Sequence, residues 1–189
     1  MSPDAGRGAI CRVLCLSGSL RQRSGNTALL QAAVRLAPAS LALSVYDGLA
    51  TLPPFNPDDE MAALPQTAAA LRTVVGTCDA LLIACPEYAH GVPGAFKNLL
   101  DWLVGSLEFP GKPVALWNAS ARGSHHAQDA LREILGTMSA RLVEPASVTV
   151  PLPAAGCELQ DILSDTSAVA LVRSALGALV AELAEATGG

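Results

Sequence analysis

The sequence predicts an α/β fold: a doubly wound parallel sheet of five strands in the order 2-1-3-4-5, with helices on both faces. Two observations carry that prediction. Short apolar runs alternate strictly with longer Ala- and Leu-rich stretches whose apolar residues recur at i, i+3 and i+4. The short runs are almost continuously apolar, the pattern of strands covered on both sides, and right-handed crossovers put helices on both faces.

In chain order, strands are expected at 10–16, 42–46, 80–85, 113–118 and 146–150, each too short for a helix and bounded by Gly, Pro, Asp or Ser. Ala80-Leu81-Leu82-Ile83-Ala84-Cys85 is the purest of them. Helices are expected at about 26–37, 65–76, 93–105, 124–138 and 161–186. In the last, Val169, Val172, Leu176, Leu179, Val180 and Leu183 share one stripe. Phe96, Leu99, Leu100 and Leu103 form an apolar face suited to core and subunit packing. The stretch 47–64, holding Pro53-Pro54-Phe55-Asn56-Pro57, reads as irregular. No repeat or linker divides the chain, so residues 1–189 are expected to form a single domain with frayed ends at about 1–9 and 186–189.

Composition narrows the function. A net charge of -5 with a pI near 5.1 argues against a nucleic-acid partner, which would need a basic stripe. The five cysteines are an odd number and most sit in apolar runs, as expected of free thiols in a reducing cytoplasm. The N-terminus has no apolar targeting core, and no run appears free enough of polar breaks to span a bilayer, so no membrane partner is expected.

Three loops are expected to meet beyond the carboxyl ends of strands 1, 3 and 4, where this strand order places ligands. After strand 1 come Gly18-Ser19-Leu20-Arg21-Gln22-Arg23-Ser24-Gly25-Asn26-Thr27 and then a helix. A helix N-terminus offers unpaired N–H groups and a positive dipole end to a phosphate. Ser19, Ser24, Asn26 and Thr27 would add donors, and Arg21 and Arg23 a planar charged fork. The alternative is an ordinary strand-to-helix loop with a Ser or Asn cap. After strand 3, Pro86-Glu87-Tyr88-Ala89-His90-Gly91-Val92-Pro93-Gly94 offers a tyrosine ring and backbone amides for a flat heterocycle. After strand 4, Ser120 and Gly123 would close the other side. Arg122 would meet the phosphates of a nucleotide or an anionic acceptor, the alternative being a surface arginine with no role. A phosphate at one end and a ring at the other describe a mononucleotide-like cofactor, and without Gly-x-Gly-x-x-Gly a flavin fits better than a tightly held NAD. His125-His126 would lie on different helix faces, and no metal site is expected.

With these residues assembled, the chain resembles the NADPH-dependent FMN reductase family of flavodoxin-like proteins, which includes quinone, chromate and azo-dye reductases. The resemblance rests on Gly18, Ser19, Leu20, Arg21, Ser24 and Asn26, and on Pro86, Glu87 and Tyr88 followed by Pro93, Gly94, Lys97, Asn98, Asp101 and Trp102. Pro54-Phe55-Asn56-Pro57-Asp58 and Gly111-Lys112-Pro113 add to it. The sequence departs from the family pattern at Ala89, where Asn is usual, and at Arg122-Gly123-Ser124-His125-His126. The resemblance implies FMN as cofactor, NADPH or NADH as co-substrate, and a small-molecule electron acceptor such as a quinone, azo compound, metal oxyanion or free flavin. It also implies a homodimer or homotetramer. Pro86, Glu87, Tyr88, His90 and Gly91 would then face the ring, and no protein residue would be catalytic in its own right. The alternative is a flavin-binding electron carrier or redox-responsive module without NAD(P)H turnover.

Overall fold

The structure, a computed structural model, describes residues 10–121 and 123–187. Arg122, the N-terminal stretch 1–9 and residues 188–189 lie outside the described residues. Among the described residues six strands form one sheet: β1 (Cys11–Ser17), β2 (Leu41–Val45), β3 (Ala80–Ala84), β4 (Pro113–Ser120), β5 (Arg141–Leu142) and β6 (Val148–Leu152). The order is β2-β1-β3-β4 with β5 and β6 both on the far edge of β4, and every pairing is parallel. The expected order is therefore present, with its fifth position divided. β5 pairs with Pro113 and Val114, whereas β6 pairs from Trp117 to Ser120. The sequence reading missed β5, whose two residues are too few to show a period.

The described residues form seven α-helices, all but α2 placing buried side chains against the sheet: α1 (Gly25–Leu36), α2 (Pro57–Ala62), α3 (Gln66–Thr77), α4 (Gly94–Val104), α5 (His125–Thr137), α6 (Leu159–Ser164) and α7 (Thr166–Thr187). Successive strand residues point to opposite faces. Val13, Cys15, Leu82, Ala84 and Trp117 join α1, α6 and α7 in one core. Leu14, Leu16, Leu81, Ile83 and Leu116 join α3, α4 and α5 in the other. Burial among these side chains pushes the Cys15 thiol up to about 12 and leaves it protonated at neutral pH. The described cysteines are all free.

Four expectations are corrected. The helix expected at 161–186 is two helices, because the Asp165 carboxylate caps a new helix by accepting from the Ser167 and Ala168 amides at 2.8 and 3.1 Å. The irregular stretch 47–64 contains α2, started by Asn56, whose side chain accepts from the Asp58 amide, and by Pro57 at the first helical position. Phe96, Leu99, Leu100 and Leu103 are fully buried, so they belong to the core and present nothing to a second subunit. Thr166–Glu185 of α7 is long and apolar enough to cross a membrane by length and composition, contrary to expectation. Val172, Leu176, Leu179 and Leu183 on that helix are nonetheless buried against the sheet.

The irregular stretch is anchored by α4. Asn98 accepts from the Phe55 amide at 2.7 Å and donates to the Pro53 carbonyl at 2.9 Å. Trp102 donates its indole N–H to the same carbonyl at 2.8 Å and meets Phe55 edge to face, with ring centres 4.9 Å apart. The Asn and Trp of the Lys-Asn-x-x-Asp-Trp signature thus hold the proline stretch in place.

Candidate active site

The floor of the site is where β1 and β3 end side by side. Gly18 donates to the Ala84 carbonyl at 2.9 Å. A Cβ at Gly18 would lie 2.4 Å from Cys85 Sγ and 3.1 Å from its Cα, so glycine is what lets the two strand ends close up. Burial raises the Cys85 thiol pKa far above its ordinary value, which makes it an inert part of the floor.

Above this floor opens a cleft of about 620 Å³, within the roughly 300–1,000 Å³ of cofactor sites. One end is the β1–α1 loop. Ser19, Arg21, Ser24, Gly25 and Asn26 line it, and Ser24 caps α1 by accepting from the Thr27 amide at 3.4 Å. The Ser19 hydroxyl accepts from the Arg21 amide at 3.3 Å, which tightens the loop. Arg21 takes part in no ion pair among the described residues, whereas Arg23 is engaged by Glu158 at 2.9 Å.

The opposite wall comes from the β3–α4 loop, with Pro86, Glu87 and Tyr88 on the cleft and Tyr88 half exposed. The third side is the end of β4. Asn118, buried beside the cleft, donates its amide to the Gly123 carbonyl and accepts from the Ser120 amide at 3.0 Å, which folds the β4–α5 loop back over the strand end. Ser120 and Ser124 face the cleft from this loop.

Several expected residues are placed elsewhere. Thr27 turns to the strand side, where its hydroxyl shares a hydrogen bond of 2.7 Å with Ser17. Gly91 spends its amide and carbonyl on Tyr88, at 3.0 and 3.1 Å, so neither is free for a ring edge. Gly123 does not line the cleft, and its carbonyl is taken by Asn118. His90 stacks on His126 instead, with ring centres 4.3 Å apart at 22°. His125 lies 4.1 Å from His126, so the adjacent histidines do not diverge. No group of three His, Cys, Asp or Glu among the described residues is arranged to hold a metal ion.

The sequence reading missed two contributors. Asn118 was available as a polar residue at the end of the apolar run Ala115-Leu116-Trp117. The turn after β6, Leu152 to Ala155, also lines the cleft, and Ala155 accepts from the Gly25 amide at 2.8 Å. Nothing local announces that turn, because only the sheet brings β6 beside β4.

These residues fit a flavin mononucleotide. An arginine outside any ion pair among the described residues, two serines and Asn26 in the first turn of α1, where the Gly25 and Thr27 amides are already engaged, could hold a dianion at one end. An aromatic wall and a floor of packed strand ends supply a flat apolar slot at the other. A doubly wound α/β protein with such a cleft at the switch of its winding is, by class, a mononucleotide-binding protein of flavodoxin-like architecture.

Comparison with known proteins agrees and goes further. The model of the NADPH-dependent FMN reductase family matches residues 11–154. The NAD(P)H-dependent FMN reductase of Pseudomonas aeruginosa is 34% identical over 172 residues, covering 89% of this chain and 92% of its own. The quinone reductase of Escherichia coli is 33% identical over 137 residues, covering 70% of this chain and 73% of its own. Among solved structures, the flavoenzyme NAD(P)H:(acceptor) oxidoreductase FerB of Paracoccus denitrificans superposes with a TM-score of 0.75 at 25% identity, over 93% of this chain and 98% of that one. The chain belongs to the NADPH-dependent FMN reductase family, and is an oxidoreductase that works with FMN and NAD(P)H.

Proposed function

We propose that this cleft holds FMN with its phosphate between Arg21, Ser19, Ser24, Asn26 and the first turn of α1, and its ring against Tyr88, with Pro86, Glu87 and Ser120 around it. The observation that carries this reading is Arg21, unpaired beside a helix N-terminus at one end of a cleft walled by a tyrosine at the other. Bound FMN supplies hydride acceptance from NAD(P)H and onward electron transfer. The chain's own work is to bind, orient and partly expose that group. Tyr88, at 50% exposure, leaves the outer side of the cleft open to a second flat molecule.

The acceptor is proposed to be a small molecule of quinone type, in keeping with the relatives named as quinone reductases. The whole chain would act as one unit, since a continuous sheet with apolar cores on both faces ties its elements together. A cytoplasmic setting accords with the free cysteines. Assembly as a homodimer or homotetramer belongs to the same proposal and would be read from the solution mass. Steady NADPH consumption in the presence of a benzoquinone, dependent on FMN, is the expected result. A protein that binds FMN but is reduced only once, without sustained NADPH consumption, would instead be an electron carrier.

A further inference from the structure

Ala89 and His90 have φ of 48° and 58°. They sit between Tyr88 and Gly91, which exchange both of their backbone hydrogen bonds and form an antiparallel bridge. This is the geometry of a two-residue hairpin turn in which both central residues are left-handed, a shape that favours Asn-Gly or Gly-Gly. Ala is poorly suited to it, and His, though commoner there than most residues, less well suited than Gly, because a Cβ in that conformation crowds the following carbonyl. Backbone strain of this kind persists only where the surroundings over-determine it.

Two contacts run from this loop to the first turn of α5. The Glu87 carboxylate accepts from the Ala127 amide at 3.0 Å. That supplies the cap α5 otherwise lacks, since Ser124 at its N-cap is left-handed (φ 45°) and makes no side-chain bond to the helix. The His90 ring stacks on His126, which has His125 behind it. The Ala127 N–H, helped by the neighbouring imidazoles against partial desolvation, holds the Glu87 carboxyl below its ordinary range.

We infer that Glu87 and His90 are positioning residues: the carboxylate cap and the imidazole stack hold the strained Ala89-His90 turn against α5 and so fix Tyr88 on the flavin cleft. This rests on the reading of the cleft given above. Tyr88 is bonded into the same turn through its own N–H and carbonyl, so relaxation at Ala89 and His90 moves the ring that walls the cleft. The staple also joins two of the three loops around the cleft, which rise from the neighbouring strands β3 and β4.

His126 tests this without touching the cleft or the turn's own backbone. Titrated with FMN and with riboflavin, full-length His126→Ala should bind both about three- to tenfold more weakly, by the same factor, with a shifted flavin absorption band. Its thermal midpoint should not fall, because alanine is the better helix former. His126→Tyr keeps a flat ring for His90 and should bind like wild type. His90→Gly needs no staple, since glycine accepts positive φ freely, so His90→Gly/His126→Ala should recover near-wild-type affinity for both flavins. A His126→Ala protein with wild-type affinities and spectrum would overturn the inference, as would a loss unchanged in the His90→Gly background. Wild-type protein that binds neither flavin would overturn the reading of the cleft and this inference with it, a result distinct from a silent His126→Ala in a protein that does bind FMN.

Discussion

Arg21→Ala is expected to weaken FMN binding tenfold or more while leaving riboflavin binding at its wild-type level. The guanidinium is the one cation of the β1–α1 loop on the cleft without an ion-pair partner among the described residues, Arg23 being paired to Glu158. A charge-assisted hydrogen bond to a phosphate contributes on the order of 1.5–3 kcal/mol, enough for at least a tenfold change in dissociation constant. Riboflavin has the same ring and no phosphate, so it reports on everything in the cleft except this contact. Fluorescence titration of both ligands separates the cases. Equal losses would mean that Arg21 shapes the cleft as a whole, and no loss would put the phosphate elsewhere. Because Arg21 is exposed, raised salt should reduce the difference between wild type and variant.

Trp102→Ala is expected to lower the free energy of unfolding by about 3–5 kcal/mol, the range for removing a buried aromatic side chain. Trp102 is fully buried on α4 beneath the proline stretch, with its indole N–H on the Pro53 carbonyl at 2.8 Å. Truncation leaves a cavity, removes the edge contact to Phe55, and leaves Asn98 as the remaining side-chain donor to that carbonyl. Urea denaturation followed by circular dichroism measures the cost. Trp102→Phe keeps most of the volume and loses only the hydrogen bond and part of the ring, so its cost should be clearly smaller. A Trp102→Ala cost below about 1 kcal/mol would mean that the proline stretch is not anchored through α4.

The contrast between these two residues shows what a sequence discloses. Arg21 was legible as a site residue because an apolar strand, a loop of hydroxyls and arginines and a helical pattern occur together within a few positions, and the physics of a helix N-terminus is local. The strand order was legible for a similar reason: a strict alternation of elements, with strands apolar on both faces, leaves few topologies. Trp102 could be read only as part of a signature, since its partner carbonyl lies 49 residues away. The division of the expected last helix at Asp165 and the start of α2 at Asn56 were both written in the sequence as capping residues. In each case the apolar period or the density of prolines masked the cap.

The residues turned from the cleft are held elsewhere by contacts the motif does not show. Thr27, Gly91 and Gly123 belong to the expected loops, but their polar groups are already engaged by Ser17, Tyr88 and Asn118, while the His90 ring is packed on His126. A motif assigns residues to a loop. Which of them face the cleft depends on who else competes for their hydrogen bonds, and those competitors are distant in sequence or, like Asn118, look like part of a strand.

The most direct test of the central claim is the identity of the flavin carried by the purified protein. The full-length chain, supplied with FMN and freed of excess, should be yellow and on heat denaturation should release FMN, identified by chromatography, in a stoichiometric ratio to protein. A colourless protein that leaves the absorption and fluorescence of added FMN unchanged would contradict the account.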